Sequence, residues 1–407
     1  MMDLLLLARE LDSQDPLADF RKRFLTAEES DVVAYLDGNS LGRPLATTPD
    51  TLSDFVRSQW AGRLIRGWDE GWLSLPERIG DLLGEVALGA APGQCIVADS
   101  TSVLLYKLAR AAISARPGRS EIVIDRDNFP TDRFIMEGIA RECGLTIRWL
   151  DTQYDAGATV AGVTGAVGPA TALVVLSHVA YRSGHCADVP GITAAVHAAG
   201  ALALWDLSHS VGSVPAELDS WGVDYATGCS YKYLNGGPGA PAWAYIASRH
   251  LPNFSQPIQG WLGSADPFAM GGSYEPAEGI RRIVSGTPPI VGMLAMQDML
   301  GVLAEAGMAE VRAKSMALTD FAVRAVDELL GNHGVVVASP RTAGQRGGHI
   351  TIDHPGFADM VPELWAAGVI PDYRNPSGIR LGLSPLSTSF EETLRGVRSI
   401  AERMGRN

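Results

Sequence analysis

Short apolar runs recur along the first three quarters of the chain and indicate buried β-strands. They lie at residues 121–125, 146–150, 172–177, 201–206, 225–228 and 242–246. Such runs are apolar on both faces, which is typical of strands in a mostly parallel sheet. Helix-like or loop stretches, residues 191–199 for example, separate the runs. This alternation predicts an α/β fold with helices on both faces of the central sheet.

The pattern changes after about residue 289. Longer amphipathic helices and then further strands are predicted at residues 293–303, 308–330, 334–337, 349–353 and 379–383. Three units follow from this change: an N-terminal segment (residues 1–50), a large domain (51–290) and a small α+β domain (291–407). The turn-rich stretch at residues 37–43 and Pro44 do not fit the central sheet. We therefore expect the N-terminal segment to pack with the small domain.

Composition narrows the class of protein. The chain has 407 residues, 46% of them hydrophobic and 19% charged, which suits a two-domain globular enzyme. A net charge of −13 argues against nucleic-acid or acidic-membrane partners. No run reaches the roughly 18 apolar residues of a membrane span, and the N-terminus lacks a signal-peptide pattern, so we expect a cytoplasmic protein.

The cysteines do not suggest a metal site. They lie more than 40 positions apart, whereas metal-ligating cysteines are usually close in sequence: Cys95, Cys143, Cys186 and Cys229. We expect four reduced thiols that pack as small hydrophobic side chains, and no metal.

The segment at residues 229–239, C-S-Y-K-Y-L-N-G-G-P-G, carries the strongest chemical signal. Lys232 lies between hydroxyl-bearing residues and a glycine-rich turn. Asp206 ends an apolar run 26 positions earlier, and His209 follows it by three. Pyridoxal phosphate (PLP) needs an amine for a Schiff base, a carboxylate for its pyridine nitrogen and donors for its phosphate. Lys232 could instead be an exposed lysine and Asp206 a helix cap, but the combination favours PLP.

Other polar residues end or follow predicted strands. Ligands of open α/β sheets bind at the carboxyl ends of strands, and Ser177 and Asp206 both end such runs. Thr101 and Ser102 precede a helix-like stretch at residues 103–113. Because backbone N–H groups at a helix start favour anions, these two residues are candidates for holding a phosphate.

Several further candidates have structural alternatives. Phe129 and Asp132 could stack on a ring and accept a hydrogen bond, or lie in a simple turn. Arg380 is a charge inside a predicted strand, which is costly unless it is paired. A substrate carboxylate would pair with it bidentately, and a structural salt bridge is the alternative. Trp261 could donate to phosphate or be a core aromatic; the loop at residues 286–289 could simply be rigid.

On these residues the chain resembles kynureninase, a fold-type I PLP enzyme of the aminotransferase superfamily, over nearly its full length. The matching motifs are Y-L-D-G-N-S-L-G (35–42), S-T-S-V (100–103), F-P-T-D (129–132), L-S-H-V-A-Y-R-S-G (176–184), W-D-L-S-H-S-V-G (205–212), Y-K-Y-L-N-G-G-P-G (231–239), P-F-A-M (267–270), G-T-P-P (286–289) and R-N-P-S-G-I-R (374–380). The lysine motif alone separates this family from most other fold-type I enzymes.

The resemblance implies a role for each site residue. The implied cofactor-binding residues are Thr101, Ser102, Phe129, Asp132, Ser177, Asp206, His209, Tyr231, Lys232, Trp261 and Thr287. The implied substrate-binding residues are Asn39, Trp68, Gly286 and Arg380, the last for the α-carboxylate. Lys232, Tyr231 and Asp206 would be catalytic. Trp261 and Thr287 would reach the cofactor of the neighbouring subunit, which implies a homodimer.

The implied reaction is hydrolysis of L-kynurenine to anthranilate and L-alanine by cleavage of the Cβ–Cγ bond. Lys232 would form the Schiff base and move protons, and Tyr231 would donate a proton after the cleavage. Trp68 and the Gly286-Thr287 pair resemble the bacterial form of the family. The form that prefers the 3-hydroxylated substrate resembles a histidine and a serine–asparagine pair there, so plain kynurenine is favoured.

Some flanking positions depart from the family pattern: Leu104, Leu262, Ser264 and Ser387. They leave open a kynureninase-like enzyme that acts on a modified kynurenine, such as 3-hydroxykynurenine or another ring-substituted form. A C–S lyase is a second alternative, although Cys229 precedes the lysine on a predicted strand and is poorly placed for cysteine chemistry. A PLP-binding protein without turnover is a third alternative, which the retained Lys232, Tyr231 and Arg380 oppose.

Overall fold

The computed structural model describes residues 4–26 and 30–405. Its strands are β1 (Ala34–Tyr35), β2 (Cys95–Ala98), β3 (Glu121–Asp125), β4 (Thr146–Leu150), β5 (Thr171–Ser177), β6 (Leu202–Asp206), β7 (Tyr225–Cys229), β8 (Ala242–Ile246), β9 (Val336–Val337), β10 (His349–Asp353), β11 (Val369–Ile370), β12 (Asp372–Arg374) and β13 (Gly378–Gly382). Its α-helices are α1 (Leu4–Gln14), α2 (Thr48–Asp54), α3 (Ala61–Arg63), α4 (Leu75–Leu83), α5 (Thr101–Ser114), α6 (Pro130–Cys143), α7 (Val160–Ala166), α8 (Val189–Ala198), α9 (Ile290–Ala306), α10 (Met308–Leu330), α11 (Phe357–Ala366) and α12 (Phe390–Met404).

The central sheet has seven strands in the order β2-β8-β7-β6-β5-β3-β4. The pairs β7–β6, β6–β5, β5–β3 and β3–β4 are parallel, and β8 is antiparallel to both of its neighbours. Strands β6, β7 and β8 are buried along their whole length because helices cover both faces. The predicted α/β fold with a mostly parallel sheet is thereby confirmed.

Two residues separate the end of β2 from helix α5, which has a serine as its N-cap. Ser100 is its N-cap in an extended conformation, and its Oγ accepts a hydrogen bond from the Val103 N–H at 3.5 Å. The cap satisfies one of the donors that a helix start leaves free. Thr101 and Ser102 therefore occupy the first turn of α5, directly after β2 and beside the carboxyl ends of the parallel strands.

The second part of the chain builds a four-stranded antiparallel sheet in the order β12-β13-β10-β9. Its core lies between this sheet and the helices α10, α11 and α12. The N-terminal residues pack against it, because β1 pairs with β11 in parallel and the Asp12 carboxylate accepts hydrogen bonds from the Phe390 and Glu391 N–H groups. Helix α9 instead contributes Met293, Met296 and Leu300 to the core of the large sheet. The domain limits at residues 50 and 290 stay predictions.

Within residues 4–26 and 30–405, no single helix is long and apolar enough to cross a membrane. Taken together, α9 and α10 meet the length and composition criteria as a pair, but they are bent by 88° at the break between them.

Candidate active site

A cavity of about 160 Å³ opens at the carboxyl end of β6, between the starts of α5 and α6. We call it the lysine cavity. Eight of the predicted site residues line it: Thr101, Ser102, Phe129, Asp132, Asp206, His209, Tyr231 and Lys232. These residues come from separate segments of the chain. The parallel topology brings them together, because ligands of open α/β sheets bind at the carboxyl ends of the strands.

Lys232 is buried, with 8% of its surface exposed. Its Nζ lies 3.0 Å from His209 Nε2 and 3.3 Å from His209 Nδ1. Burial lowers the pKa of the amine, and the positive charge of Arg380 lowers it further, although Cys229 and Asp206 act in the opposite direction. A lysine in this setting has a larger neutral fraction than an exposed one, which an attack on an aldehyde requires.

Two buried carboxyl groups, those of Asp132 and Asp206, line the cavity. Burial raises the pKa of Asp132, and the nearby charges of Asp206 and Asp125 raise it further. Burial also raises the pKa of Asp206, while its hydrogen bonds with Ser208 oppose the change. Asp206 Oδ1 accepts the Ser208 N–H at 2.8 Å, whereas Asp132 Oδ2 is buried without a hydrogen-bond partner in the described structure. The site can therefore accept a hydrogen bond from a cationic donor.

The remaining wall is aromatic. Phe129 directly precedes α6, and Lys232 Nζ lies 5.9 Å from the centroid of its ring. The Tyr231 ring centroid is 6.0 Å from the same Nζ. Burial raises the pKa of Tyr231, so its hydroxyl stays protonated at neutral pH. The pKa of His209 falls well below its usual value, through burial first and then the charges of Lys232 and Arg380, and its ring is neutral.

Ser177 lies beside the cavity rather than in its lining. It is the register partner of Asp206 in the β5–β6 pair. Its hydroxyl donates to Asn128 Oδ1 at 3.0 Å, and the same oxygen accepts the Phe129 N–H at 2.7 Å. Asn128 thus ties the end of β5 to the segment that carries Phe129. Its position directly before F-P-T-D was the available signal for this role.

Arg380 lies on β13 with only 1% of its surface exposed. Its Nε donates to Asp372 Oδ2 at 2.7 Å, and its Nη2 contacts the same oxygen. Nη1 donates to the Tyr181 carbonyl at 2.7 Å and lies 3.5 Å from His209 Nε2, while Nη2 also donates to Ser40 Oγ at 3.0 Å. The guanidinium therefore stands next to the lysine cavity and is paired through a salt bridge.

Asp372 was not among the predicted site residues. The residue lies on β12 directly opposite Arg380 in the antiparallel register. It supplies the counter-charge that a buried guanidinium needs. Its only sequence signal was the requirement of Arg380 for a partner. Asn39, predicted to bind substrate, is fully buried, and neither its side-chain nitrogen nor its oxygen has a partner in the described structure.

His349 is a second residue near the cavity that was not predicted. It lies fully buried on β10, and its ring centroid is 5.8 Å from that of His209. Burial, together with the charges of Arg380 and Lys232, lowers the pKa of His349 to about 3. An unfolded chain has a histidine pKa of about 6.5. Below that pH the unfolded chain binds a proton that the folded chain excludes, so acidification destabilises the fold.

We therefore expect His349→Gln to flatten the acid limb of the stability curve. Between pH 6.5 and 5 the free energy of unfolding should fall by about 2 kcal/mol less than in the unchanged protein. Urea unfolding at several pH values measures this difference. His333→Gln is the matched control because His333 is exposed. Parallel stability curves for His349→Gln and the unchanged protein would remove His349 as the cause.

The remaining predicted residues lie outside the lysine cavity. An apolar groove of about 480 Å³ is lined by Phe55, Trp60, Leu64, Ile65, Trp68, Trp72 and residues 287–292. It holds Trp68 and Thr287, and Gly286 directly precedes Thr287. Trp68 packs edge-on against Trp72 with ring centroids 5.5 Å apart. Trp261 belongs to another surface segment and is 43% exposed. Within one chain these residues do not line the cavity around Lys232.

The positions that depart from the family pattern are mostly packing positions. Leu104 and Leu262 lie in the hydrophobic core on one face of the central sheet, with 0% and 4% of their surfaces exposed. Ser264 Oγ donates to the Trp261 carbonyl at 2.6 Å. Ser387 is buried in the turn before α12. None of the four lines the lysine cavity or the apolar groove.

Comparisons with known proteins agree with the motifs. Residues 311–400 match the family model described as "Kynureninase C-terminal domain". Over 404 residues the chain is 40% identical to a kynureninase of Pseudomonas fluorescens, covering 97% of this chain and 94% of that protein. It is also 40% identical over 402 residues to a kynureninase of Burkholderia pseudomallei (strain K96243), with coverage of 97% and 94%.

Solved structures are similar in fold. An apo cysteine desulfurase from Thermococcus onnurineus NA1 superposes with a TM-score of 0.83 at 17% identity, covering 96% of this chain and 98% of that one. A C-DES mutant with glycine covalently linked to its PLP cofactor superposes with a TM-score of 0.80 at 19% identity, covering 94% and 98%. At these identities the likeness concerns the fold alone.

Proposed function

The chain belongs to the kynureninase family, and on that premise we propose that it hydrolyses L-kynurenine to anthranilate and L-alanine with PLP as its cofactor. The observation that carries this proposal is the buried Lys232, which shares one cavity with Asp206, Asp132 and the first turn of α5. The protein is a hydrolase of carbon–carbon bonds. Its partner is a small amino-acid substrate, and a cytoplasmic location is part of the same proposal.

The residues of the lysine cavity fit the cofactor. The buried, unpartnered Asp132 Oδ2 and the neighbouring Asp206 suit a protonated pyridine nitrogen, because a cation offsets two close carboxylates. Thr101 and Ser102, in the first turn of α5, would hold the phosphate, together with the Tyr231 hydroxyl. Phe129 would stack on the ring, and Lys232 would supply the amine that joins the aldehyde.

When bound, PLP supplies an aldehyde that captures amines and a pyridinium ring that withdraws electrons from the bonds at Cα. Lys232 Nζ would take the Cα proton, since its lowered pKa raises the neutral fraction of the amine. Tyr231 Oη would deliver a proton to Cβ once the Cβ–Cγ bond has broken, because its raised pKa keeps it protonated. Water would add to the γ-carbonyl before the Cβ–Cγ bond breaks, so the water oxygen leaves in the carboxyl group of anthranilate.

Arg380 would bind the substrate α-carboxylate. Its guanidinium is buried, always charged and 3.5 Å from His209, which places it at the edge of the lysine cavity. The Asp372 carboxylate holds Nε and Nη2, so the plane of the guanidinium has a defined orientation. Ser40 and the Tyr181 carbonyl already accept from Nη2 and Nη1, so a substrate carboxylate would displace the Ser40 hydroxyl and bind beside His209.

A homodimer is part of the proposal. Trp60, Leu64, Ile65 and Val291 line the apolar groove with 55%, 59%, 77% and 45% of their surfaces exposed. Large exposed apolar patches mark interaction sites. A second copy of the chain is the occupant that also accounts for Thr287, which lies in this groove and away from the lysine cavity of its own chain. The groove would then supply the aryl pocket of a shared active site.

We expect mixed dimers to recover activity from two impaired variants. Lys232→Ala lacks the catalytic amine, and Trp261→Ala lacks the residue that would reach across the interface. Mixing and re-equilibrating the two should restore about a quarter of the unchanged activity, because half of the dimers then carry one complete site. Activity that stays at the sum of the separate variants, or an active monomer by light scattering, would contradict the shared site.

Turnover on two substrates tests the proposed function. Purified, PLP-loaded protein should convert L-kynurenine to anthranilate with a kcat/KM about tenfold above that for 3-hydroxy-L-kynurenine, because Trp68 and Thr287 offer an apolar aryl pocket. Fluorescence follows the aryl product and mass spectrometry follows alanine. PLP binding without either product would contradict the proposal.

The alternatives are less well supported. A modified substrate is disfavoured because the departing Leu104 and Leu262 pack in the core. Cys229 is only 2% exposed at the end of β7, and burial raises its pKa, so it is a poor thiolate for C–S chemistry.

A further inference from the structure

An ion pair between a fully buried lysine and a partly exposed aspartate lies beside the residues that would hold the cofactor phosphate. Lys107, in the second turn of α5, has none of its surface exposed. Its Nζ donates to Asp99 Oδ2 at 2.6 Å and to the Ile283 carbonyl at 2.7 Å. Asp99 immediately precedes the N-cap of α5. The ammonium thus links the body of the helix to the turn from which the helix begins.

That turn is held in a strained conformation. Asp99 has a φ of +49°, which is in the left-handed region that few residues other than glycine enter. Asparagine and aspartate tolerate it best, because their short polar side chains bond locally. The Asp99 carbonyl accepts the Ala242 N–H at 3.1 Å, so the turn is also fastened to β8. A backbone in such a conformation persists only when its surroundings hold it.

The second acceptor of Lys107 extends the contact to another functional segment. Ile283 lies three positions before Gly286 and four before Thr287, at the start of the loop that contains them. A single buried ammonium therefore joins the turn before Thr101 and Ser102 to the base of the loop that would complete the partner's site. A buried lysine charge without hydrogen-bond partners would destabilise the fold. Here the Asp99 carboxylate and the Ile283 carbonyl offset that cost, and both belong to segments next to the proposed cofactor site.

We propose that Lys107 is a positioning residue for the phosphate of the cofactor. Through Asp99 it holds the β2–α5 turn, so that the hydroxyls and N–H groups of Thr101 and Ser102 converge on one anion. The inference rests on the proposed function, since it takes PLP as the ligand of the lysine cavity. Neither Lys107 nor Asp99 lines that cavity, so the pair acts through the residues that do.

Binding to the apoprotein separates this role from a purely structural one. Lys107→Met should raise the Kd for PLP roughly tenfold, and the Kd for pyridoxal, which lacks the phosphate, should change much less. Equilibrium dialysis measures both. Lys314→Met is the matched control: Lys314 is also buried and paired with an aspartate, Asp15, but packs against Phe390 in the small-domain region. It should leave both constants unchanged.

Variants of Asp99 test the same idea if Lys107→Met does not fold. Asp99→Asn keeps an acceptor oxygen and tolerates positive φ, so PLP affinity should fall only slightly. Asp99→Ala loses both properties and should weaken PLP binding as Lys107→Met does, again with little effect on pyridoxal.

Two outcomes would overturn the inference: a PLP Kd for both Lys107→Met and Asp99→Ala within twofold of the unchanged protein, or an equal loss of PLP and pyridoxal affinity. An unchanged protein that binds no PLP would instead overturn the proposed function.

Discussion

Replacement of Lys232 by alanine is expected to lower kcat/KM for L-kynurenine by roughly 10⁴-fold or more. The amine is buried in the lysine cavity with its pKa lowered, and among the described residues no other lysine lines that cavity. With the roles proposed for Lys232, the variant loses both the covalent attachment to PLP and the base that takes the Cα proton. Anthranilate fluorescence measures turnover, and mass spectrometry after borohydride reduction locates the attached cofactor.

The control for this variant is Lys314→Ala, because Lys314 is also buried and ion-paired but lies in the other core region. It should lose stability without losing the covalent attachment at Lys232. A Lys232→Ala protein that still carried reducible, covalently attached PLP and turned over L-kynurenine would remove the central assignment. Attachment found at another lysine would move the site.

Arg380→Ala should raise KM for L-kynurenine roughly 10²-fold, with a much smaller change in kcat. The substrate carboxylate loses a charge-assisted pair, and Asp372 is left without the guanidinium that it now neutralises. Arg380→Lys keeps the charge but not the fork, so its KM should be intermediate. Steady-state kinetics over a wide substrate range separate the two constants.

Two comparisons make the Arg380 test specific. Arg346→Ala removes another fully buried arginine, paired with Asp320 away from the cavity, and should lower stability while KM stays unchanged. The amide of L-kynurenine lacks the carboxylate charge, so its binding should be nearly insensitive to Arg380→Ala. An unaltered KM for L-kynurenine in Arg380→Ala would place the carboxylate site elsewhere.

Long apolar runs made much of the fold predictable. The strands β3, β4, β8 and β10 and the helix α10 have the bounds that the pattern indicated. Burial on both faces accounts for the signal in β3, β8 and β10, whereas β4 is a partly exposed edge strand and α10 a partly buried helix. The strands β1, β11 and β12 were not predicted, because two or three residues carry no periodicity and form only where a partner strand is already in place.

The positions of those candidate site residues that end parallel strands were predictable. Asp206 and Ser177 end neighbouring parallel strands, so their proximity follows from the topology. The partner of Arg380 was not predictable, since Asp372 meets it only through the register of β12 and β13. Trp68, Thr287 and Trp261 were assigned through resemblance, and within one chain they lie outside the lysine cavity. The roles proposed for them require a second copy of the chain.

By itself, the sequence determined the class of fold and the chemistry, because the apolar pattern and the lysine motif are local and are carried by neighbouring residues. Only the tertiary structure decided how buried charges are shared. It paired Arg380 with Asp372 and Lys107 with Asp99, and it buried His209 and His349 together. Such pairings depend on distances between segments far apart in the chain. Burial then sets the protonation of each group, which residue order alone does not specify.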